Sequence, residues 1–271
     1  MTNLTSVADV SIAEAILLRE DHDSVATLTL NRPSARNALS VELMAALQRE
    51  LDKLAQDRTV SVVILEARGP AFCSGHDLKE LRSLSGAEGF RPVMTQCSKM
   101  MSSIMRLPQP VIARVHATAT AAGCQLVASC DLAVAADSAS FATPGVKIGL
   151  FCSTPMVAIS RCIGSKHAMQ MLLTGDPIDA ETAWRFGLVN EVVAAEELDE
   201  TVTTYARAIA AKPARVMAIG KEAFYRQLEL NLDLAYEFVG EVMTRNRLMA
   251  ESQEGIDAFI EKRSPHWPTP S

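Results

Sequence analysis

Three stretches of the chain gather residue types that could do chemistry. In "FCSGHDLKEL", Phe72 to Leu81, small residues and Gly75 precede Asp77, which reads as the N-cap of a helix beginning near Leu78. Backbone N–H groups can approach a ligand at such a corner and bind an oxyanion or phosphate. His76 adds an imidazole that ordinarily titrates near neutrality. In "ATATAAGCQLVASCD", Ala117 to Asp131, the nearly bare residues Ala121, Ala122 and Gly123 open a helix whose first N–H groups are unpaired, and Gln125 follows just inside it. In "SFATPGVKIGLFCSTP", Ser140 to Pro155, turn-formers are mixed with Val146, Ile148, Leu150 and Phe151 around Gly145, Cys152 and Ser153. A loop this apolar is either covered by another element or lines an apolar pocket. Taken singly, each stretch also has a structural reading: a strand-to-helix corner, close helix-to-strand packing, and a covered loop.

The elements that must position these residues alternate. "VATLTL" (Val25 to Leu30) reads as a strand, "NRPSARN" as a turn fixed by Pro33, and Ser40 as the cap of a helix carrying Leu43, Leu47, Leu51 and Leu54 on one face. "VSVVILEA" (Val60 to Ala67) is a β-branched run suited to a strand covered on both faces. A helix is expected from about Gln96 to Arg106, strands at Val111 to Val115 and in "DLAVAAD", and helices throughout from Ala180 onward. Strands alternating with helices imply an α/β domain with crossover connections, followed by a helical region that packs on the core or on a neighbour.

The chain's 271 residues suffice for a core without disulfides or metal, and 48% apolar with 21% charged residues indicates a globular protein. A net charge of −6 argues against general nucleic-acid binding. Six cysteines without a C-x-x-C pair suggest a reducing compartment. No apolar run is long enough to span a membrane, and no Arg or Lys precedes Arg19, so a cytoplasmic protein without a targeting peptide is expected and the Asn3-Leu4-Thr5 sequon is read as accidental. Dinucleotide, P-loop, serine-hydrolase and zincin motifs are missing, and the five histidines lack ligand-like spacing, so no metal is expected.

Taken together and in order, "LNRPSARNAL", "GPAFCSGHDLKEL", "PVIARVHATATAAGCQLVASCDLAVAADSASFATPGVKIGL", "LLTGDPIDAETAWRFGLVNEVV" and "EGIDAFIEKR" resemble the crotonase (enoyl-CoA hydratase/isomerase) superfamily over nearly the whole chain. The resemblance implies an α/β spiral of ββα units over residues 1–200 and a C-terminal helical region, 201–271, that packs on the core and a neighbouring subunit in a trimer or dimer of trimers. It further implies an acyl-CoA thioester ligand, with coenzyme A entering as part of that ligand and no permanently bound cofactor. The thioester oxygen would be held by the backbone N–H groups of His76 and Ala122. Coenzyme A would lie near Ser34, Ala35 and Arg36, along Ser74, Gly75, His76, Asp77 and Leu78, and against Phe259 and Lys262.

The same resemblance exposes two departures. Where hydratases of the superfamily carry two glutamates, this chain has Gln125 and Gly145, and a subgroup of the superfamily shares both changes. An amide does not titrate near neutral pH and glycine has no side chain, so a general acid–base contribution of typically ~10²–10⁴-fold is lost. The single-acid isomerases keep the carboxylate that Gly145 replaces, so that route is weakened as well. Expected activity is therefore weak or absent hydration. The remaining alternatives are a non-catalytic acyl-CoA binder of fatty-acid metabolism, or an isomerase, decarboxylase or thioesterase using His76, Cys152 or Ser153.

Overall fold

The computed structural model describes residues 15–268; the leader bearing the Asn3 sequon lies outside them. Strands β1 (Leu17–His22) and β2 (Val25–Leu30) form a hairpin, and helix α1 (Val41–Leu54) returns the chain to β3 (Val62–Ala67), parallel to β2. After α2 (Leu78–Ser83) and α3 (Gly86–Arg106) come β4 (Val111–Val115), β5 (Ala119–Thr120), α4 (Ala122–Ala128), β6 (Leu132–Ala136) and β7 (Ser140–Ala142). The chain continues through α5 (Ser153–Cys162), α6 (Ser165–Thr174), β8 (Ile178–Asp179), α7 (Ala180–Phe186) and β9 (Glu191–Val193). It ends in α8 (Leu198–Ala210), α9 (Ala214–Gln227), α10 (Leu232–Arg247) and α11 (Ala250–Glu261).

The main sheet has the order β1-β2-β3-β4-β6-β9, parallel except for β1, and β5, β7 and β8 form a smaller sheet. Because side chains alternate along a strand, the run "VVILEA" serves two cores. Val63 and Leu65 join the main cluster with Leu43, Leu47, Leu51 and Leu54 of α1. Val62 and Ile64 point the other way, onto Leu198, Val202 and Ala206 of α8, the helix that straddles residue 200. Ser40 caps α1, its Oγ accepting from the Leu43 N–H at 3.1 Å.

Helix α9 is tied to the core by a buried polar group. Lys221 Nζ donates to Asp131 Oδ2 at 2.6 Å and to the carbonyls of Ile104 and Gln109, and Tyr225 donates to Asp131 Oδ1 at 2.9 Å. The small-sheet strands β5, β7 and β8 and helices α5 and α6 go beyond the sequence reading, and three further elements depart from it. Strand β1 lies in what reads as the end of the leader, because the charges of "LLREDH" suit a half-exposed edge strand. Helix α3 starts ten residues earlier than Gln96, with Pro92 inside it. Short β9 adds an edge strand within the region expected to be helical throughout.

Candidate active site

The first two of the three chemical stretches meet at the ends of β3 and β5. Leu39 pairs with His76 in a parallel bridge: its N–H donates to Gly75 O at 2.7 Å, and its carbonyl accepts from the Asp77 N–H at 3.2 Å. That bridge uses the groups on either side of His76. Behind it, Gly75 has φ +91°, and a Cβ there would lie 2.9 Å from Ala121 Cβ, 3.1 Å from Thr120 O and 3.4 Å from Ala122 N. Only glycine accommodates both the backbone angle and the approach. Thr120 N–H donates to Cys73 O at 2.9 Å, which holds the two segments side by side. Among the described residues, neither the His76 nor the Ala122 backbone N–H is donated to a protein acceptor.

Ala121 sets the direction of the second of these donors. It has φ +50° and ψ −118°, a conformation that costs an alanine of order 1–3 kcal/mol, and its N–H donates to Ala142 O at 2.9 Å. On the peptide joining Ala121 to Ala122, the Ala121 carbonyl accepts from the Gln125 N–H at 3.0 Å.

The positions expected to lack acids are buried. Gln125 is 4% exposed and its Oε1 has no partner, as is also true of Oγ1 of the buried Thr143. At Gly145 a Cβ would lie 2.6 Å from Leu150 O and 2.9 Å from Cys152 Sγ, so the returning chain fills the space a side chain would take. Leu150 N–H donates to Gly145 O at 2.9 Å and closes that turn. Burial pushes the Cys152 thiol up, opposed by the backbone of Gly145. Burial also lowers the His76 imidazole, opposed by the Leu39 backbone, and neither ring nitrogen has a partner. Both groups are therefore held uncharged near neutral pH. Ser153 opens α5 with its Oγ 3.4 Å from Phe151 O, and among the described residues no basic side chain bonds it.

Ser34 and Ala35 form a 3-10 turn, and the Arg36 carbonyl accepts from Ser74 N–H at 3.1 Å, so the 34–36 and 74–78 segments adjoin. Asp77 caps α2, accepting from Lys79 N–H at 3.1 Å. Burial pushes its carboxyl up, but Arg32 and the N–H groups of Lys79 and Glu80 outweigh it and leave the group below its ordinary range. Leu78 is exposed on the outer side of that turn. Phe259 and Lys262 are not brought to the corner within one chain: α11 packs on α10, and Phe259 is 86% exposed.

Two residues that sequence reasoning passed over hold the corner together. Asn37, with φ +53°, donates through Nδ2 to Arg68 O and Ala71 O and accepts the Arg32 N–H, all at 2.8 Å. Arg32 bonds Asp77 Oδ2 at 3.2 Å. The signal was an asparagine at the end of a turn, a residue that tolerates left-handed backbone. Among the described residues no group of three His, Cys, Asp or Glu side chains could hold a metal ion, and no helix is long and apolar enough to cross a membrane.

The enoyl-CoA hydratase/isomerase family model matches residues 20–270. The chain belongs to the enoyl-CoA hydratase/isomerase family. Members of this family act on coenzyme A thioesters without a metal cofactor. The chain is 46% identical to the rat mitochondrial enoyl-CoA hydratase domain-containing protein 3 over 245 residues, covering 90% of this chain and 82% of the rat protein. Crystal structures of an enoyl-CoA hydratase from Mycobacterium smegmatis and of human enoyl-CoA hydratase domain-containing protein 3 superpose with TM-scores of 0.93 and 0.91, at 50% and 45% identity. They cover 94% and 93% of this chain and all of theirs. The crotonase fold expected from the sequence is thus the fold of the family. The cytoplasmic expectation is corrected: the similar rat, mouse and human proteins are named mitochondrial. Cysteine usage separates oxidising from reducing surroundings and does not tell one reducing compartment from another.

Proposed function

We propose that the protein binds an acyl-CoA thioester and polarises its carbonyl between the backbone N–H groups of His76 and Ala122, while hydrating enoyl thioesters poorly or not at all. The observation that carries this reading is the pair of undonated N–H groups held together by Gly75. A preorganised donor of this kind contributes ~3 kcal/mol to stabilising an oxyanion. Amide Gln125 and the filled space at Gly145 leave neither position able to move a proton. Chemistry that needs mainly a polarised thioester, such as isomerisation, decarboxylation or thioester hydrolysis, then falls to the neutral His76 imidazole or the protonated Cys152 thiol, with Ser153 a weaker candidate.

For the coenzyme A part, the adjoining segments Ser34 to Arg36 and Ser74 to Leu78 supply the contacts, with Arg36 facing a phosphate. Exposed Phe224, Leu228, Leu232, Tyr236, Met243 and Leu248 support a homo-oligomer, trimer or dimer of trimers, built on the 201–271 helices. In it Phe259 and Lys262 reach the ligand of a neighbouring copy, and the site itself belongs to the core of residues 1–200. A role in fatty-acid metabolism follows from this ligand.

Calorimetry with butyryl-CoA and turnover of crotonyl-CoA test the reading. Binding with hydration at least ~10²-fold below an acid-bearing relative is expected. Normal turnover would refute the claim about the acids, and failure to bind any coenzyme A ester would refute the ligand. A second reading, a non-catalytic acyl-CoA binder, is favoured by the absence of a carboxylate at both Gln125 and Gly145. Binding without product over enoyl, dienoyl and malonyl thioesters would select it.

A further inference from the structure

Two grooves lie away from the thioester corner, between α1 and α3. One has a volume of about 670 Å³ and an apolar floor that includes Leu51, Ala55, Met94 and Leu107. A second, of about 540 Å³, adjoins it and shares Arg91, Thr95 and Lys99. Both are within the size range of small-molecule sites.

Cations and hydroxyl groups stand along this largely apolar surface. Along α3 run Arg91, Thr95, Lys99, Ser102 and Arg106, three or four residues apart and so on one face, with Ser98 beside Lys99. Arg49 joins them from α1. Arg91 to Arg106 spans about 22 Å at 1.5 Å per residue. The acid facing them is Asp52, whose Oδ1 accepts from Gln48 Nε2 at 2.8 Å. Among the described residues none of the four cations is in an ion pair. In a chain of net charge −6, this is a local reversal of sign.

Arginine, lysine and hydroxyl donors alternating along one helix face suit the oxygens of phosphoryl groups, for which charge-assisted hydrogen bonds are the strong contacts. The apolar floor suits a hydrocarbon or ring portion joined to them. We infer that the α1/α3 groove is a second binding site, taking a phosphoryl-bearing anion with an apolar portion, either free in solution or as the headgroup region of an anionic lipid. None of its lining residues belongs to the thioester corner or to the proposed coenzyme A contacts.

The test titrates the full chain with inorganic pyrophosphate, and in a second arm sediments it with phosphatidylcholine vesicles with and without phosphatidylglycerol. Saturable, salt-sensitive binding of pyrophosphate indicates a free ligand, and binding to the anionic vesicles alone indicates the lipid source. In either arm the Arg91→Ala/Lys99→Ala double variant is expected to weaken binding by about tenfold or more, as the loss of charged hydrogen bonds requires. Its thermal midpoint and its affinity for butyryl-CoA should stay unchanged. Failure of both arms, or equal binding by the folded double variant, would overturn the proposal.

Discussion

Gly123 sits directly on the backbone of Cys73: a Cβ at position 123 would lie 2.1 Å from the Cys73 carbonyl oxygen and 2.7 Å from its carbonyl carbon. The obstacle is main chain on β3's exit segment, so no rotamer change relieves it. Gly123→Ala is expected to lose about 1–3 kcal/mol or more through overpacking. Denaturant unfolding measures that loss. Butyryl-CoA binding should fall with it, because α4 and Ala122 move away from His76.

Restoring the acids should not restore a hydratase. In Gln125→Glu/Gly145→Glu the second carboxylate must displace Leu150 O and Cys152 Sγ, now 2.6 and 2.9 Å from the Cβ position. The double variant is expected to be less stable than Gln125→Glu by about 1–3 kcal/mol and to remain slow on crotonyl-CoA. Turnover at the level of an acid-bearing relative would show that the Leu150–Cys152 turn yields freely.

How far the sequence revealed all this depends on where the signal resides. Leu43, Leu47, Leu51 and Leu54 mark α1 because its burial is periodic, and Val111–Val115 has the observed bounds because all but Arg114 of this short run is apolar and buried. Position 145 reads as a missing glutamate, yet nothing local tells that Leu150 and Cys152 fold back onto it. That contact arises from a turn closed by the Leu150 N–H, five residues away. Strand β1 and the first half of α3 were hidden for the opposite reason: tertiary pairing overrides the charges of "LLREDH" and the glycines before Pro92.

Asn37 ties the Arg68–Ala71 loop to the 32–38 turn through two Nδ2 donations, one of them buried. Asn37→Ala strands these carbonyls and places a Cβ-bearing residue without polar compensation at φ +53°. A loss of about 1–3 kcal/mol is expected from the unsatisfied groups, read as a lowered denaturation midpoint. Asn37→Asp keeps the acceptor for Arg32 N–H but turns a buried carboxylate oxygen toward the Arg68 and Ala71 carbonyls, and should be at least as destabilising as Asn37→Ala.

The His76 imidazole is lowered from its ordinary 6.5 by burial, so the folded state resists a proton that the unfolded chain takes up. Stability is therefore fully present above about pH 6.5 and declines as the pH falls from there toward the lower folded-state value. Comparing unfolding free energies at pH 7.5 and 5.5 should show this loss, and His76→Gln, which does not titrate, should flatten it. An identical slope in the variant would assign the dependence to other groups.

Lys221 and Asp131 form a buried pair to which Tyr225 and the Val111 N–H also contribute. Lys221→Met leaves the Asp131 charge with fewer partners and should cost about 3–5 kcal/mol. Because α9 carries the lysine, its amides should exchange faster with solvent than those of β3 and β4 in the same variant.

Ala121 offers one more consequence. A residue that already occupies φ +50° and ψ −118° has met the cost of that conformation during folding, before any ligand arrives. The peptide presenting the Ala122 N–H therefore need not enter that conformation on association. The corner behaves as a rigid template, and the energy of contact with a carbonyl oxygen goes into affinity rather than into reshaping the chain.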